Sequence, residues 1–451
     1  MSAHDANLGR TLNPGGPGGP PVAYVNARLI DPASGLDTLG GVVLSDGVIS
    51  DLGPQLARAS ALGARGIEAI DCKGACLAPG LLDMRVQLRE PGEEHKETLA
   101  SASEAAAGGG VTTMVCLPNT HPPIDDAALV ESILRRARET SRVRIHPYAA
   151  VSRGLQGREM TELGLLAAAG AVGFTDGTAA IADARLMLRA LSYARIVDRP
   201  IIQHPEEPSL AQGVMNEGEI ATRLGLAGIP VAAEVIMVER DLRLVELTGG
   251  RYHVAHLSTA AAVEAVRKAK ARGLNVTSDT APQYFALNET AVGDYRTFAK
   301  LSPPLRSEED RRAVIAGLKD GTIDAIASDH APHDQDSKRL PFAQAAFGMI
   351  GLETLLAVSL DLVHNQHMSL LATLAKLTHG PAALLGLAAG KLARGAVADI
   401  VIFDPEQPWK VVEKGFRSKS KNSPFDGRPV QGRVLRTLVG GAEVFALERA
   451  E

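Results

Sequence analysis

Four side chains able to bind a metal ion or move a proton stand at the ends of four separate apolar runs. Asp176 closes AVGFTD, His204 closes RPIIQH, His256 closes RYHVAH, and Asp329 falls at the end of DAIASDH. Imidazole nitrogen and carboxylate oxygen are natural zinc ligands, and a zinc ion with one open position makes a nucleophile of water. A single strand-end histidine is an ordinary hydrogen-bonded residue, but four such residues on four runs read together as one site. In SDHAPH, residues 328–333, Asp329 is placed to bind metal and to take a proton from water. His333 follows four residues later, where it could hold a substrate carboxylate or carbonyl. The competing reading of Asp329 is a cap on the next helix. The first apolar run, CLAPGLLDMRV, leads into Arg85, Gln87 and Arg89, and the second, VTTMVCLP, into Asn119.

For these residues to meet, the runs that carry them must be neighbouring strands. Eight runs occur in order: CLAPGLLDMRV, VTTMVCLP, RIHPYAAV, AVGFTD, RPIIQH, RYHVAH, NVTSDTAP and DAIASDH. Between them lie stretches with helical spacing, such as AAAVEAVRKAKARG. Continuous apolar strands alternating with helices predict an α/β fold, a parallel (β/α)8 TIM-type barrel whose site forms at the C-terminal ends of its strands. An open doubly wound sheet is the alternative, weakened because no GxGxxG follows a strand. The segments 22–78 and 390–448 carry short β-like runs broken by Gly, Asp and Pro, and predict one β-sandwich domain built from both termini. The barrel then spans 79–389. Residues 1–21 include NPGGPGGPP and predict a disordered arm.

Bulk properties narrow the class. The 451 residues suit a barrel plus a smaller domain, and 45% hydrophobic residues suffice for a large core. A net charge of −5, with both signs mixed, argues against nucleic acid and membrane surfaces as partners. Cys72, Cys76 and Cys116 form no even framework and predict reduced thiols in a cytoplasmic protein. There is neither a long apolar run nor an N-terminal signal pattern.

The chain resembles dihydroorotase of the amidohydrolase superfamily over residues 22–448. The likeness rests on LREPGEEHKET (88–98), AAAGGGVTTMVCLPNT (105–120), HVAHLSTA (253–260), PPLRSEEDR (303–311), IASDHAPH (326–333), FGMIGLET (347–354) and KSKNSPFDGRPVQGRV (419–434). The resemblance implies a distorted (β/α)8 barrel with a β-sandwich. It also implies reversible hydrolysis of dihydroorotate to carbamoyl aspartate in pyrimidine synthesis, with one or two zinc ions and a metal-bound hydroxide. By the same resemblance, Arg89 and Asn119 match residues that hold the substrate carboxylate, and His333 matches a substrate-contacting histidine. His204 and His256 match metal-binding histidines, Asp329 the metal-binding general base, and Asp176 a bridging aspartate.

The chain also departs from that pattern. The His-x-His of the first strand is Arg85-Val-Gln87, a Pro-His-His is Pro-Gln283-Tyr284, and an Asn-Pro-Pro is Ser302-Pro303-Pro304. Arginine has no lone pair for a metal, and a glutamine oxygen is a poor zinc ligand. Three readings follow. The first is a working hydrolase with at most one zinc, in which Arg85 supplies the charge of the missing metal. The second is an inactive homologue, without zinc, that assembles with aspartate transcarbamoylase. The third is an amidohydrolase for another cyclic amide, such as a hydantoin. The resemblance also implies a homodimer or a mixed complex.

Overall fold

The computed structural model describes residues 14–58 and 66–448. Its architecture is α/β, with a ring of parallel strands and a large, mostly antiparallel sheet made from both ends of the chain.

In that sheet the hydrogen-bonded path runs Ala442–Ala446, Pro429–Val439, Ile400–Lys410, Cys76–Pro79, Val22–Asp31, Leu36–Ser45, Val48–Gly53, and Glu68–Asp71 also pairs with Val22–Asp31. The join between the two chain ends is the antiparallel pair of Ile400–Phe403 with Cys76–Pro79. All three cysteines are buried and free, and burial pushes the Cys116 thiol up to about 12. They behave as packing residues, since the thiolate is the reactive form.

The arm predicted over residues 1–21 needs correcting in part. Residues 1–13 lie outside the described residues, but residues 14–21 fold onto the sheet. Gly15 N–H donates to Pro20 O at 2.8 Å, and Gly47 N–H donates to Gly15 O at 3.0 Å. A Cβ on Gly15 would sit 2.7 Å from Val22 Cγ1. The composition NPGGPGGPP offers little to bury, yet its peptide groups find backbone partners and its glycines permit the close approach.

The parallel ring begins with Leu81–Val86, Val111–Cys116 and Arg144–Pro147. It continues through Phe174, which bridges Ala149 on one side and Ile201 on the other. Then come Ile201–Gln203, Tyr252–Val254, Val276–Thr280 and Ala325–Ile326. His330 pairs in parallel with Val86, which returns the ring to its first strand. Two expected strands therefore differ in detail. CLAPGLLDMRV is two strands parted at Gly80, where a Cβ would collide with the Thr112 side chain. AVGFTD contributes only the bridging residue Phe174.

Leu81–Val86 and Val111–Cys116 are buried at every position, as parallel strands covered on both faces must be. Leu82, Met84, Val115, Leu117, Tyr148 and Ile202 belong to one buried cluster, while Leu81, Val86, Val111 and Met114 pack with the helices in another. Each large apolar side chain so buried contributes about 1.5–3 kcal/mol. Helix Ala260–Ala271 shows how the outer layer forms: the Thr259 hydroxyl caps it at Ala262 N–H, and Ala262, Val263, Val266 and Ala269 line its buried face. Among the described residues, no helix is long and apolar enough to cross a membrane.

Candidate active site

A bulge aims the first-strand residues. Asp83 pairs with Met114 but Val86 pairs with Cys116, so one extra residue lies between them on the first strand. Leu82 and Met84 share the cluster of Tyr148 and Ile202, whereas Val86 and Leu88 pack with the helices. Arg85 is only 2% exposed. Ring closure then sets Asp329 beside it, because His330 pairs with Val86 and Gln87 N–H donates to His330 O at 2.9 Å. Arg85 Nε lies 2.9 Å from Asp329 Oδ1, Nη2 donates to Gly177 O at 3.3 Å, and Nη1 is buried without a partner.

Asp329 sits at φ 53°, a left-handed conformation uncommon for a residue with a Cβ and often seen where function fixes the backbone. Its second oxygen accepts from Gln283 Nε2 at 3.4 Å. Burial pushes its carboxyl above the usual range, and the Arg85 guanidinium opposes that shift. The segment carrying Asp329 is fixed from behind. His330 Nδ1 accepts the Gly351 N–H at 3.2 Å, which leaves the ring proton on Nε2, 3.6 Å from Glu97 Oε2. Glu97 also accepts the Ser101 and Ser418 hydroxyls.

The remaining expected residues fall into three groups. Asn119 Nδ2 donates to Gln87 Oε1 at 3.0 Å, so the one Gln87 atom able to meet a metal is already engaged. Arg89 donates to Pro332 O, pairs with Glu93 at 3.0 Å and meets His333 Nε2 at 3.2 Å. Burial, then the Arg89 charge, push His333 down to about 3, so it is a neutral imidazole at physiological pH. His204 Nδ1 and His256 Nε2 lie 3.0 Å apart with their rings edge to face. Burial first, then Arg85, hold His256 far below its ordinary value, in the neutral form.

Glu206 was not among the expected residues. Its Oε2 is 3.2 Å from His204 Nε2 and accepts the Ser302 hydroxyl at 2.8 Å. Burial works upward on Glu206, but the His204 hydrogen bond and charge outweigh it and leave the carboxyl low. The available signal was HPE, a carboxylate two residues past a strand-end histidine.

A zinc ion would need several of these donors to face one point. Asp176 does not join the other three expected ligands: one oxygen accepts Val151 N–H and Ser152 N–H at 2.9 Å, and the other accepts the Ser152 hydroxyl. His204 and His256 are bonded to each other, and Asp329 to a guanidinium. Among the described residues, no three His, Cys, Asp or Glu side chains are grouped to hold a metal ion. The expected set of Asp176, His204, His256 and Asp329 is therefore not assembled, and this arrangement does not fit a zinc ion. The cause is chemical: Asp176 is turned to other donors, one hydrogen bond joins His204 to His256, and a fixed cation stands 2.9 Å from Asp329, while His256 Nδ1 alone is left without a partner.

A family model described as dihydro-orotase-like matches residues 74–262. The dihydroorotase of Anaplasma phagocytophilum is 48% identical over 429 residues, covering 95% of this chain and 96% of that protein. That of Syntrophobacter fumaroxidans is 46% identical over 424 residues, covering 94% and 96%. The chain belongs to the dihydroorotase family. Among solved structures, the L-hydantoinase (dihydropyrimidinase) of Arthrobacter aurescens superposes with a TM-score of 0.84 at 26% identity, over 95% of this chain and 97% of that one. The dihydropyrimidinase of Brevibacillus agri gives 0.82 at 23% identity, over 94% and 95%, and bears on the fold alone. The dihydroorotase likeness thus spans both the barrel and the two-ended sheet, and the amidohydrolase barrel is the fold. Within that family frame, the Arg85–Asp329 ion pair and the Gln87–Asn119 hydrogen bond occupy the ground where the sequence resemblance implies first-strand histidines.

Proposed function

We propose that this chain is a dihydroorotase-like cyclic amidohydrolase of pyrimidine biosynthesis, working in the cytoplasm on dihydroorotate and carbamoyl aspartate. The observation that carries the reading is the buried, unspent Nη1 of Arg85 beside Asp329, with Arg89, Asn119 and His333 on the neighbouring strand ends. Arg89 and Asn119 would hold the substrate carboxylate, and His333 a ring oxygen. Arg85 Nη1 would polarise the scissile carbonyl as a fixed cation, in the manner of a preorganised oxyanion site. Asp329 would take a proton from the attacking water. The hydroxide oxygen joins the carbonyl carbon, the ring C–N bond breaks, and the proton passes to the departing nitrogen. No step uses a metal.

A second reading is supported by the same ion pair. Asp329 and Asn119 are already engaged by Arg85 and Gln87, the residues standing in place of histidines. On this reading the chain is catalytically silent and assembles with aspartate transcarbamoylase in a mixed complex; otherwise it would be a homodimer.

The test is hydrolysis of dihydroorotate by the purified chain, with and without added zinc, read as loss of the ring's ultraviolet absorbance, with a hydantoin as substrate control. Zinc-independent turnover that disappears in Asp329→Asn and Arg85→Met upholds the first reading. Turnover that requires zinc overturns the metal-free route. No turnover at any zinc level, with co-elution of aspartate transcarbamoylase, selects the second.

A further inference from the structure

The connection between strands Ile400–Lys410 and Pro429–Val439, residues 411–428, leaves the two-ended sheet and returns to it. Its base is closed by Val411 N–H donating to Arg428 O and Gly427 N–H donating to Val411 O, both at 2.9 Å. Its tip, SKSKNS over 418–423, is polar at every position. Yet Ser418, Ser420, Asn422 and Ser423 are 5% exposed or less. Burying polar groups is unfavourable unless they find hydrogen-bond partners, so where those partners lie is informative.

They lie on three segments around the site. Past the first strand end, the Ser418 hydroxyl and Lys419 N–H donate to Glu97, and the Ser420 hydroxyl donates to Lys96 O at 2.8 Å. On the segment 347–354, Ser418 N–H donates to Glu353 at 3.2 Å, and Ile350 N–H donates to Asn422 O at 3.0 Å. The third segment is 331–333, and the Asn422 side chain holds it. Its Oδ1 accepts His333 N–H at 3.1 Å, and its Nδ2 donates to Ala331 O at 3.0 Å and to Gly348 O at 3.1 Å. Both N–H groups and the carbonyl oxygen of this amide are spent on backbone, which fixes the path of 331–333 against Gly348. Phe425 is 0% exposed and shares a cluster with Met349 and Ile350, so an apolar contact seats the tip as well.

We propose that Asn422 is a positioning residue of the candidate site: reaching over from the two-ended sheet, it fixes the backbone of Ala331 and His333 and so sets the His333 imidazole against Arg89. This rests on the reading of Arg89 and His333 as substrate-binding residues. The hydrogen bonds of the Asn422 side chain reach neither Asp329 nor Arg85. Asp329 is held separately, by Arg85 at 2.9 Å and through Gln87 N–H on His330 O. The two ends of SDHAPH are therefore fixed by different parts of the chain, the Asp329 end by the first barrel strand and the His333 end by the sheet connection. Loosening Asn422 should free 331–333 without releasing Asp329. Its cost to turnover should then fall on substrate binding and not on the chemical step.

Amide hydrogen exchange of the full chain, followed by mass spectrometry, tests the proposal. In the wild type the His333 amide should be protected like the strand amides of 144–146, although it lies in a loop; free exchange there overturns the assignment. Asn422→Ala should speed exchange over 331–334 about tenfold or more and leave 144–146 within about twofold of wild type. Ser423→Ala removes a neighbouring buried hydroxyl whose one partner is Phe425 N–H, and should change neither segment. No acceleration in Asn422→Ala, equal acceleration in both variants, or acceleration throughout the barrel overturns the positioning role. Exchange is read whether or not the chain hydrolyses dihydroorotate, so failure of the hydrolase reading leaves this test standing. Where turnover is measured, Asn422→Ala should raise KM about fivefold or more with kcat within about twofold. A fall in kcat at unchanged KM would overturn the proposal.

Discussion

Replacing Arg85 by methionine tests whether the ion pair holds the site together. Methionine fills much of the arginine's volume, so the loss is chiefly electrostatic. The change leaves Asp329, whose side chain is 13% exposed, without its cation 2.9 Å away, and removes the donor from Gly177 O. Breaking a buried ion pair by deleting one partner costs about 3–5 kcal/mol, because the other charge stays buried and unpaired. Unfolding entropy for a chain of this length is roughly 0.9 kcal/mol per degree, so the loss corresponds to a melting point lower by roughly 3–5 °C. Adding Asp329→Asn to Arg85→Met removes the stranded charge and should recover more than half of that drop, giving a coupling energy of about 2 kcal/mol or more. The assay is scanning calorimetry of wild type, both single variants and the double variant at pH 8. If Arg85→Met melts within 1 °C of wild type, or if Asp329→Asn restores nothing, the argument that Arg85 and Asp329 compensate each other is wrong.

Other expectations concern distant parts of the molecule. Arg85→His combined with Gln87→His removes the fixed cation and frees Asn119, and the zinc content of the purified double variant should rise above that of wild type; equal metal content by mass spectrometry would count against the account of the donor set. Gly80→Ala forces a Cβ into Thr112 where the two sheets part, and should cost about 1–3 kcal/mol, seen as a lower urea midpoint. Glu353 accepts Arg417 and Ser418 N–H at 2.8 and 3.2 Å, and burial lifts its carboxyl from 4.5 to about 7. An acid whose folded value is raised favours the native state at low pH, and this contribution is lost as pH rises from about 4.5 to 7. Wild type should therefore lose ground to Glu353→Gln between pH 5 and 8, and parallel stability curves would refute the assignment.

The order of the ring was legible because parallel strands covered on both faces are largely apolar, which is how VTTMVCLP reads, although NVTSDTAP is mostly polar. The break inside CLAPGLLDMRV was not legible. Both halves are apolar, and what separates them is the approach of Thr112, thirty-two residues from Gly80. The site shows the same division. Strand-end residues could be picked out singly, but period and spacing give no side-chain direction. Asp176 turns to Val151 and Ser152, and that choice depends on a backbone turn formed twenty-four residues upstream. The pairing of Arg85 with Asp329 spans 244 positions and exists only because the ring closes there. The N-terminal Gly-Pro segment was misread for a related reason: composition reports how much apolar surface can be buried, not whether backbone groups will find partners.

The two-ended sheet also sets a timetable for synthesis. Cys76–Pro79 pairs on one side with Val22–Asp31 through only Arg28 and Leu29, and on the other with Ile400–Phe403. When this strand leaves the ribosome its second edge has no partner for roughly 320 residues more, on the order of 15–65 s at about 5–20 residues per second. Through that interval an apolar edge lies open to any passing strand. A nascent chain of this design is therefore most exposed to misassembly and chaperone capture long after its first domain segment has emerged, and a stall before residue 400 would release a nearly complete barrel with an unsealed seam.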